Sequence, residues 1–255
     1  MNILLINPNT SEEFTRKIQN IADQYALPTT TAVAVNPTSG PRSIEGVYDE
    51  LLSSLGTLET AINQMDQYDA FVIACYSDYP TIYALREITD KPVIGIAEAS
   101  MYVACVLGYK FSIVTTNEEW EPLLWDAVKH YGLAERCASV RSTRMPVLAL
   151  ESASHEETNR LILASSRRAI DEDDAEVICL GCAGMAGLDI QLQQELGVPV
   201  LDGVVCALKL LEGIVGYGLK TSKRRVYAQP GYKPQIGLPK IFQSVYRPTD
   251  QAEDS

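Results

Sequence analysis

Short runs of consecutive apolar residues alternate along this chain with stretches whose apolar residues recur every three or four positions. Residues 3–6 predict a buried strand, and Phe14, Ile18, Ile21 and Tyr25 then fall on one helical face. Thr10 with Glu13 fits a capping box that would start this helix. A β-branched strand is expected at 30–35. Val47, Leu51, Leu55, Leu58, Ile62 and Met65 form the apolar face of the next predicted helix. Strands at 71–74 and 93–96 and a helix at 97–107 complete a βαβαβαβα order. That order predicts a mostly parallel sheet covered by helices.

The same order then runs a second time. Strands are expected at 111–114, 138–141, 176–180 and 198–201, with a short helix at 187–196. Trp120, Leu124, Ala127 and Tyr131 mark one helix; Leu161, Ala164 and Ile170 mark another. Val204, Leu208, Leu211 and Val215 mark the last. Three landmarks repeat at almost one offset. Asn7 and Thr115, which end the first strand of each half, are 108 residues apart. Cys75 and Cys182, which follow the third strands, are 107 apart, as are Pro92 and Pro199 before the fourth. The expected fold class is therefore α/β with two pseudo-symmetric lobes, each a mostly parallel sheet flanked by helices, and a site in the cleft between them. The expected division is 1–97 plus 204–255 for lobe one and 98–203 for lobe two. A chain of 255 residues suits one large or two small domains. The proline-rich, basic-started tail from Thr221 is expected to be extended and to lie against its own lobe or a neighbouring subunit.

Composition narrows the partners. With 21 basic against 33 acidic residues the net charge is −12, which argues against nucleic acid and anionic membrane. Residues 198–219 are the most apolar late stretch, but Asp202, Lys209 and Glu212 interrupt it, so no membrane span is expected there. The N-terminal residues lack the pattern of a signal peptide, and six cysteines are too dilute for a disulfide scaffold, so a cytoplasmic setting is expected. Two histidines leave little room for a histidine-rich metal site or a Ser-His device.

Ligands of open α/β sheets bind beyond the carboxyl ends of the strands. Four segments fall there: Asn7 to Thr10, Cys75 to Asp78, Thr115 to Asn117, and Gly181 to Gly184. Two of them carry a cysteine at the equivalent place, so a pseudo-twofold axis would face the thiols across the cleft. A thiolate on one face can remove a C–H proton next to a carbonyl, and a thiol on the other can return one, inverting the stereocentre. No cofactor or metal is needed. Each cysteine precedes a short helix, so a lowered thiol pKa is expected, and backbone N–H groups freed by Gly184 would face a developing enolate oxygen. Cys105, Cys137, Cys179 and Cys206 read as core or incidental thiols. Cys179 and Cys182 also spell C-x-x-C, but Cys179 falls inside an apolar strand, which disfavours a redox or zinc reading. Asp78 reads as a solvated or capping carboxylate, and His130 and His155 as surface residues on helices.

A set of motifs then runs in order through residues 1–225. They are INPNTS at 6–11, SIEG at 43–46, ACYSD at 74–78, PVIGIAEA at 92–99, FSIVTT at 111–116, MPVLALE at 145–151, LGCAGM at 180–185, VPVLDGV at 198–204 and LKTSK at 219–223. Together they resemble the hydantoin and allantoin racemases of the Asp/Glu racemase superfamily. The aromatic followed by Ser-Asp after Cys75 resembles the fungal branch, and GIAEA with SIEG leans toward allantoin racemases. The resemblance implies a cofactor-independent racemase acting on a small molecule between two lobes, and a homo-oligomer. It implies acid/base roles for Cys75 and Cys182. It also implies substrate contacts from Asn7, Asn9 and Thr10 in the first lobe, Thr115 and Thr116 in the second, and backbone near Ser77, Ala183 and Gly184. Two alternatives stay open: another enzyme of the superfamily (amino-acid racemase, cis-trans isomerase or decarboxylase), and a non-catalytic small-molecule binder.

Overall fold

The computed structural model describes residues 1–152 and 154–246. Its first half runs β1 (Asn2–Ile6), α1 (Glu12–Tyr25), β2 (Thr31–Val35), α2 (Val47–Gln64), β3 (Ala70–Ile73), α3 (Pro80–Ile88), β4 (Val93–Gly95) and α4 (Ile96–Leu107). The second half runs β5 (Phe111–Thr115), α5 (Trp120–His130), β6 (Cys137–Ser142), α6 (Ala149–Ser152), α7 (His155–Asp173), β7 (Val177–Leu180), α8 (Asp189–Leu196), β8 (Val200–Leu201) and α9 (Gly203–Gly216). The strands form two parallel four-stranded sheets of matching order, β2-β1-β3-β4 and β6-β5-β7-β8. Both are doubly wound, so the central strands are buried on both faces: β3 and β7 are unbroken apolar runs, β1 is apolar after Asn2, and β5 also buries Ser112 and Thr115. Ile3, Leu4, Leu5 and Ile6 are all fully buried.

The repeat holds at the level of single hydrogen bonds. The Ala74 amide donates to the Ile6 carbonyl at 2.8 Å, and the Gly181 amide donates to the Val114 carbonyl at 2.8 Å. Each ladder thus extends one residue past its third strand. Cys75 and Cys182 are the next residues in each lobe.

Several helix details differ from the sequence expectation. Ser11, not Thr10, caps α1: its hydroxyl accepts from the Phe14 amide at 3.2 Å. Thr10 is held elsewhere, with its amide and hydroxyl both donating to the Pro41 carbonyl. On α2 the buried residues are Ser53, Thr57 and Ala61, whereas Val47, Leu51 and Leu55 are exposed. Small side chains let this helix lie close to the sheet, and the Ser53 hydroxyl meets the Tyr79 phenol at 2.5 Å. On α7 the buried side chains include Ile162, Ser166 and Ala169, while Ala164 is exposed. The side chain of His155 lies outside the described residues.

The tail from Thr221 lies against its own lobe. Thr221 bonds to the carbonyls of Asp90 and Lys91. The Lys223 ammonium donates to the carbonyls of Arg86, Glu87 and Thr89, which are the open acceptors at the end of α3. Among the described residues no helix is long and apolar enough to cross a membrane.

The lobes meet through packing and through ties across the cleft. Phe14, on lobe one's α1, belongs to the apolar cluster of the second lobe with Val114, Val147, Leu150 and Met185. The Ser11 hydroxyl donates to the Glu151 carboxylate at 2.5 Å, Arg42 pairs with Glu151 at 3.0 Å, and the Lys17 ammonium donates to the Leu150 carbonyl at 2.9 Å. His130 of α5 pairs with Asp78 beyond β3.

Candidate active site

Cys75 stands in the loop between β3 and α3, and Cys182 stands between β7 and a short turn at Ala183–Met185. Both thiols are free and partly accessible. Both line one cavity of about 430 Å³, its mouth included. That is room for a small, flat molecule. Lobe one contributes Asn9, Phe14, Ile44, Ala74 and Tyr76 to the wall; lobe two contributes Thr116, Trp120, Val147, Gly181, Ala183 and Gly184.

Two glycines shape the second wall. A Cβ on Gly181 would sit 2.9 Å from Ile113 Cγ2 and 3.0 Å from the Val114 carbonyl oxygen, so the strand end could not lie so close to β5. A Cβ on Gly184 would sit 2.8 Å from Leu150 Cδ1 and 3.0 Å from the Phe14 ring. The Gly184 amide donates to Cys182 Sγ at 3.4 Å. On the opposite wall the Ser77 hydroxyl donates to Cys75 Sγ at 3.6 Å.

The expected site residues divide into two sets. Cys75, Cys182, Asn9, Thr116, Ala183 and Gly184 line the cavity. Asn7, Thr10, Ser77 and Thr115 stand behind that lining. The Asn7 amide donates to Asn9 Oδ1 at 2.9 Å, the Ser11 carbonyl at 3.2 Å and Thr15 Oγ1 at 3.0 Å, which fixes the loop. Asn9 Oδ1 also accepts from the Ser11 amide, which pins that side chain against α1. The buried Thr115 hydroxyl donates to the Gly181 carbonyl at 3.0 Å and ties β5 to the Cys182 loop. Sequence reasoning missed Phe14, Ile44, Trp120 and Val147 as walls. All four are apolar residues beside helix starts or in loops, where apolar character alone reads as core. Asp78, expected to be a solvated or capping carboxylate, accepts from the Tyr83 phenol at 2.5 Å and pairs with His130.

The thiols are not shifted downward as the sequence suggested. Burial pushes the Cys182 pKa up to about 11, with the Gly184 amide and the Lys17 charge opposing. Burial raises Cys75 further, and the negative charge of Glu50 adds to it while Ser77 opposes. The reason for the difference is local. α3 begins five residues after Cys75, and only a three-residue turn follows Cys182, so neither thiol has a full helix N-terminus to stabilise its anion. No charged side chain among the described residues lines the cavity. Cys179 lies fully buried within β7 with its thiol toward the Ser100 carbonyl, away from Cys182's loop. Among the described residues no group of three or more His, Cys, Asp or Glu is placed to hold a metal.

Two parallel sheets of one order border this cavity, each with a cysteine just past the carboxyl end of its third strand, and the proteins that share this fold and much of this sequence are racemases. Residues 3–211 match the family described as Asp/Glu/Hydantoin racemase, and the chain belongs to that family. It is 45% identical over 243 residues to a hydantoin racemase of Pseudomonas sp. (strain NS671), covering 95% of this chain and 97% of that protein. The allantoin racemase from Klebsiella pneumoniae superposes with a TM-score of 0.90 at 41% identity, covering 96% of this chain and 99% of that one. The allantoin racemase from Pseudomonas fluorescens superposes with a TM-score of 0.89 at 40% identity, covering 93% and 100%.

Proposed function

We propose that this chain racemises a neutral five-membered ureide ring, allantoin or a 5-substituted hydantoin, by proton transfer between Cys75 and Cys182 with no cofactor. The observation that carries the reading is one small cavity with a thiol from each lobe on its wall and no charged side chain lining it among the described residues. A free amino acid or a dicarboxylate would bring a carboxylate into a wall that offers no cation, at a desolvation cost that an uncharged ring avoids. This sets the ureide reading above the amino-acid racemase, cis-trans isomerase and decarboxylase alternatives. The names of the relatives, hydantoin racemase and allantoin racemase, agree with it.

In the reaction one thiol and one thiolate flank the ring. The thiolate takes the proton from the ring carbon beside the carbonyl, and electron density moves onto the carbonyl oxygen. The opposite thiol then protonates the carbon from the other face, leaving the pair with its protonation exchanged. Backbone amides near Ala183 and Gly184, and the side chains of Asn9 and Thr116, are the donors offered to the ring's oxygens. Asn7 holds Asn9, Thr115 holds the loop that starts at Gly181, Ser77 meets Cys75 Sγ, and Thr10 fastens the first-strand loop to Pro41. The same reading takes 1–97 with 204–255 as one lobe and 98–203 as the other, and has the protein act in the cytoplasm as a homo-oligomer.

The test is hydrogen exchange. Purified protein in heavy water is expected to exchange the ring C–H of allantoin or of a 5-substituted hydantoin for deuterium, and to abolish its optical rotation, without added cofactor. Absence of exchange across a panel of both would overturn the reading. A covalent substrate adduct on either cysteine in mass spectrometry would favour a nucleophilic reaction instead.

A further inference from the structure

A second cavity lies beside the first, with Trp120 in the wall of both. It measures about 630 Å³ by the same open-mouthed measure and is polar, lined by Glu50, Ser77, Asp78, Asp126 and His130 among others. Glu50 comes from the first turn of α2 and stands beside the Ser77 hydroxyl. Its Oε1 is buried with no hydrogen-bond partner among the described residues. A buried carboxylate oxygen without a donor is costly and calls for an explanation. Ser77 supplies one. The Ser77 hydroxyl lies 3.6 Å from Cys75 Sγ and also beside the Glu50 carboxylate, and its single proton serves only one of the two at a time. If the hydroxyl turns to Glu50, its oxygen is free to accept the Cys75 S–H.

We propose that Glu50, acting through the Ser77 hydroxyl, carries protons between Cys75 and solvent by a route that opens away from the substrate cavity. The inference rests on the two-thiol reading above. Each turnover of one enantiomer leaves Cys75 and Cys182 with exchanged protons, and the enzyme must restore them before it accepts that enantiomer again. On the Cys75 side, Cys75–SH passes its proton to Ser77 Oγ while Ser77 passes its own to the Glu50 carboxylate. The products are a Cys75 thiolate and a neutral Glu50, while the Cys182 thiolate takes a proton from water entering the substrate cavity, so the pair keeps one negative charge. The carboxylic acid then releases the proton to water in the second cavity, where Asp78, Asp126 and His130 are the other titratable groups. Burial and the nearby Asp78 charge raise the Glu50 pKa, which suits it to holding a proton briefly.

A step that resets the free enzyme limits kcat and leaves kcat/KM alone. With the full-length chain and a 5-substituted hydantoin or allantoin that the wild type turns over, Glu50→Gln is expected to lower kcat by about tenfold. KM should fall in step, and kcat/KM should stay within about twofold. At saturating substrate deuterated at the ring carbon, the variant should hand its deuterium to a second substrate molecule, where the wild type loses it to water. Glu50→Ala, which opens space beside Ser77, should recover kcat when formate is added. An unchanged kcat, or a fall in kcat/KM at constant KM, would overturn the relay while leaving the racemase reading standing. Lack of formate rescue in a folded Glu50→Ala protein would also overturn it. A wild type that exchanges no ring hydrogen would instead remove the racemase reading itself.

Discussion

The behaviour of this site turns on two sulfur atoms whose surroundings resist ionisation. Burial raises both thiols, Cys182 to about 11 and Cys75 beyond it. The two walls are not equivalent. Cys182 has an amide at 3.4 Å and a lysine charge that favour its anion, while Cys75 has a neighbouring carboxylate that opposes it. The first proton to leave the pair therefore leaves Cys182. Under the two-thiol proposal the active form carries one negative charge on the pair, so its population grows about tenfold per pH unit until the pH reaches the pKa of Cys182. We expect kcat/KM to climb with a slope near one from pH 7 to pH 9. A plateau or a maximum below pH 8 would contradict this and show that a thiolate forms near neutrality in the free enzyme. The cysteines were legible from the sequence because each follows a buried strand at a matched offset. Glu50 was not, because an acidic residue in the first turn of a helix reads as a partner of the helix dipole.

At the scale of elements, hydrophobic periodicity located strands and helices well and helix faces less well. β1, β3, β5 and β7 are buried on both sides, so no choice of face was required of them. α2 offered an apolar stripe and a small polar one, and packing selected Ser53, Thr57 and Ala61 because close approach outweighed side-chain volume there. On α9 the expected face is the buried one: Val204, Leu208 and Leu211 are buried and Val215 is partly buried. Its start depends on Asp202, whose Oδ1 accepts from the Val204 amide at 2.7 Å and whose Oδ2 accepts from the Gly187 amide at 2.9 Å. Those bonds join α9 to the segment that follows Cys182. Burial nonetheless lifts the Asp202 pKa to about 6, against the pull of these amides. A carboxyl whose pKa is raised by folding adds stability at low pH and loses that contribution as pH rises through the folded value. Asp202→Asn keeps an acceptor for the helix but cannot titrate. The wild type's stability advantage over this variant is expected to be largest at pH 4 and to shrink by roughly 2 to 3 kcal/mol by pH 7, measured by urea unfolding. An advantage that does not change with pH would show that Asp202 keeps its unfolded pKa.

For the whole molecule, duplication of one α/β plan matters most. Each sheet brings a loop with one thiol to its carboxyl edge, and facing the sheets makes a site that neither lobe contains alone. The repeat offset announced this arrangement in the sequence. The apolar walls did not announce themselves, because Phe14 and Val147 line the cavity only after the lobes close on each other. The two-thiol proposal has a consequence that a one-thiol mechanism lacks: each face of the ring would have its own base. Cys75→Ser and Cys182→Ser, followed by ring-carbon deuterium uptake from each separate enantiomer in heavy water, test this most directly. The account predicts that each variant loses racemisation by at least about a thousandfold and that any remaining uptake is confined to one enantiomer, the opposite one in the two variants. Racemisation near the wild-type rate in either variant, or equal uptake from both enantiomers, would contradict it.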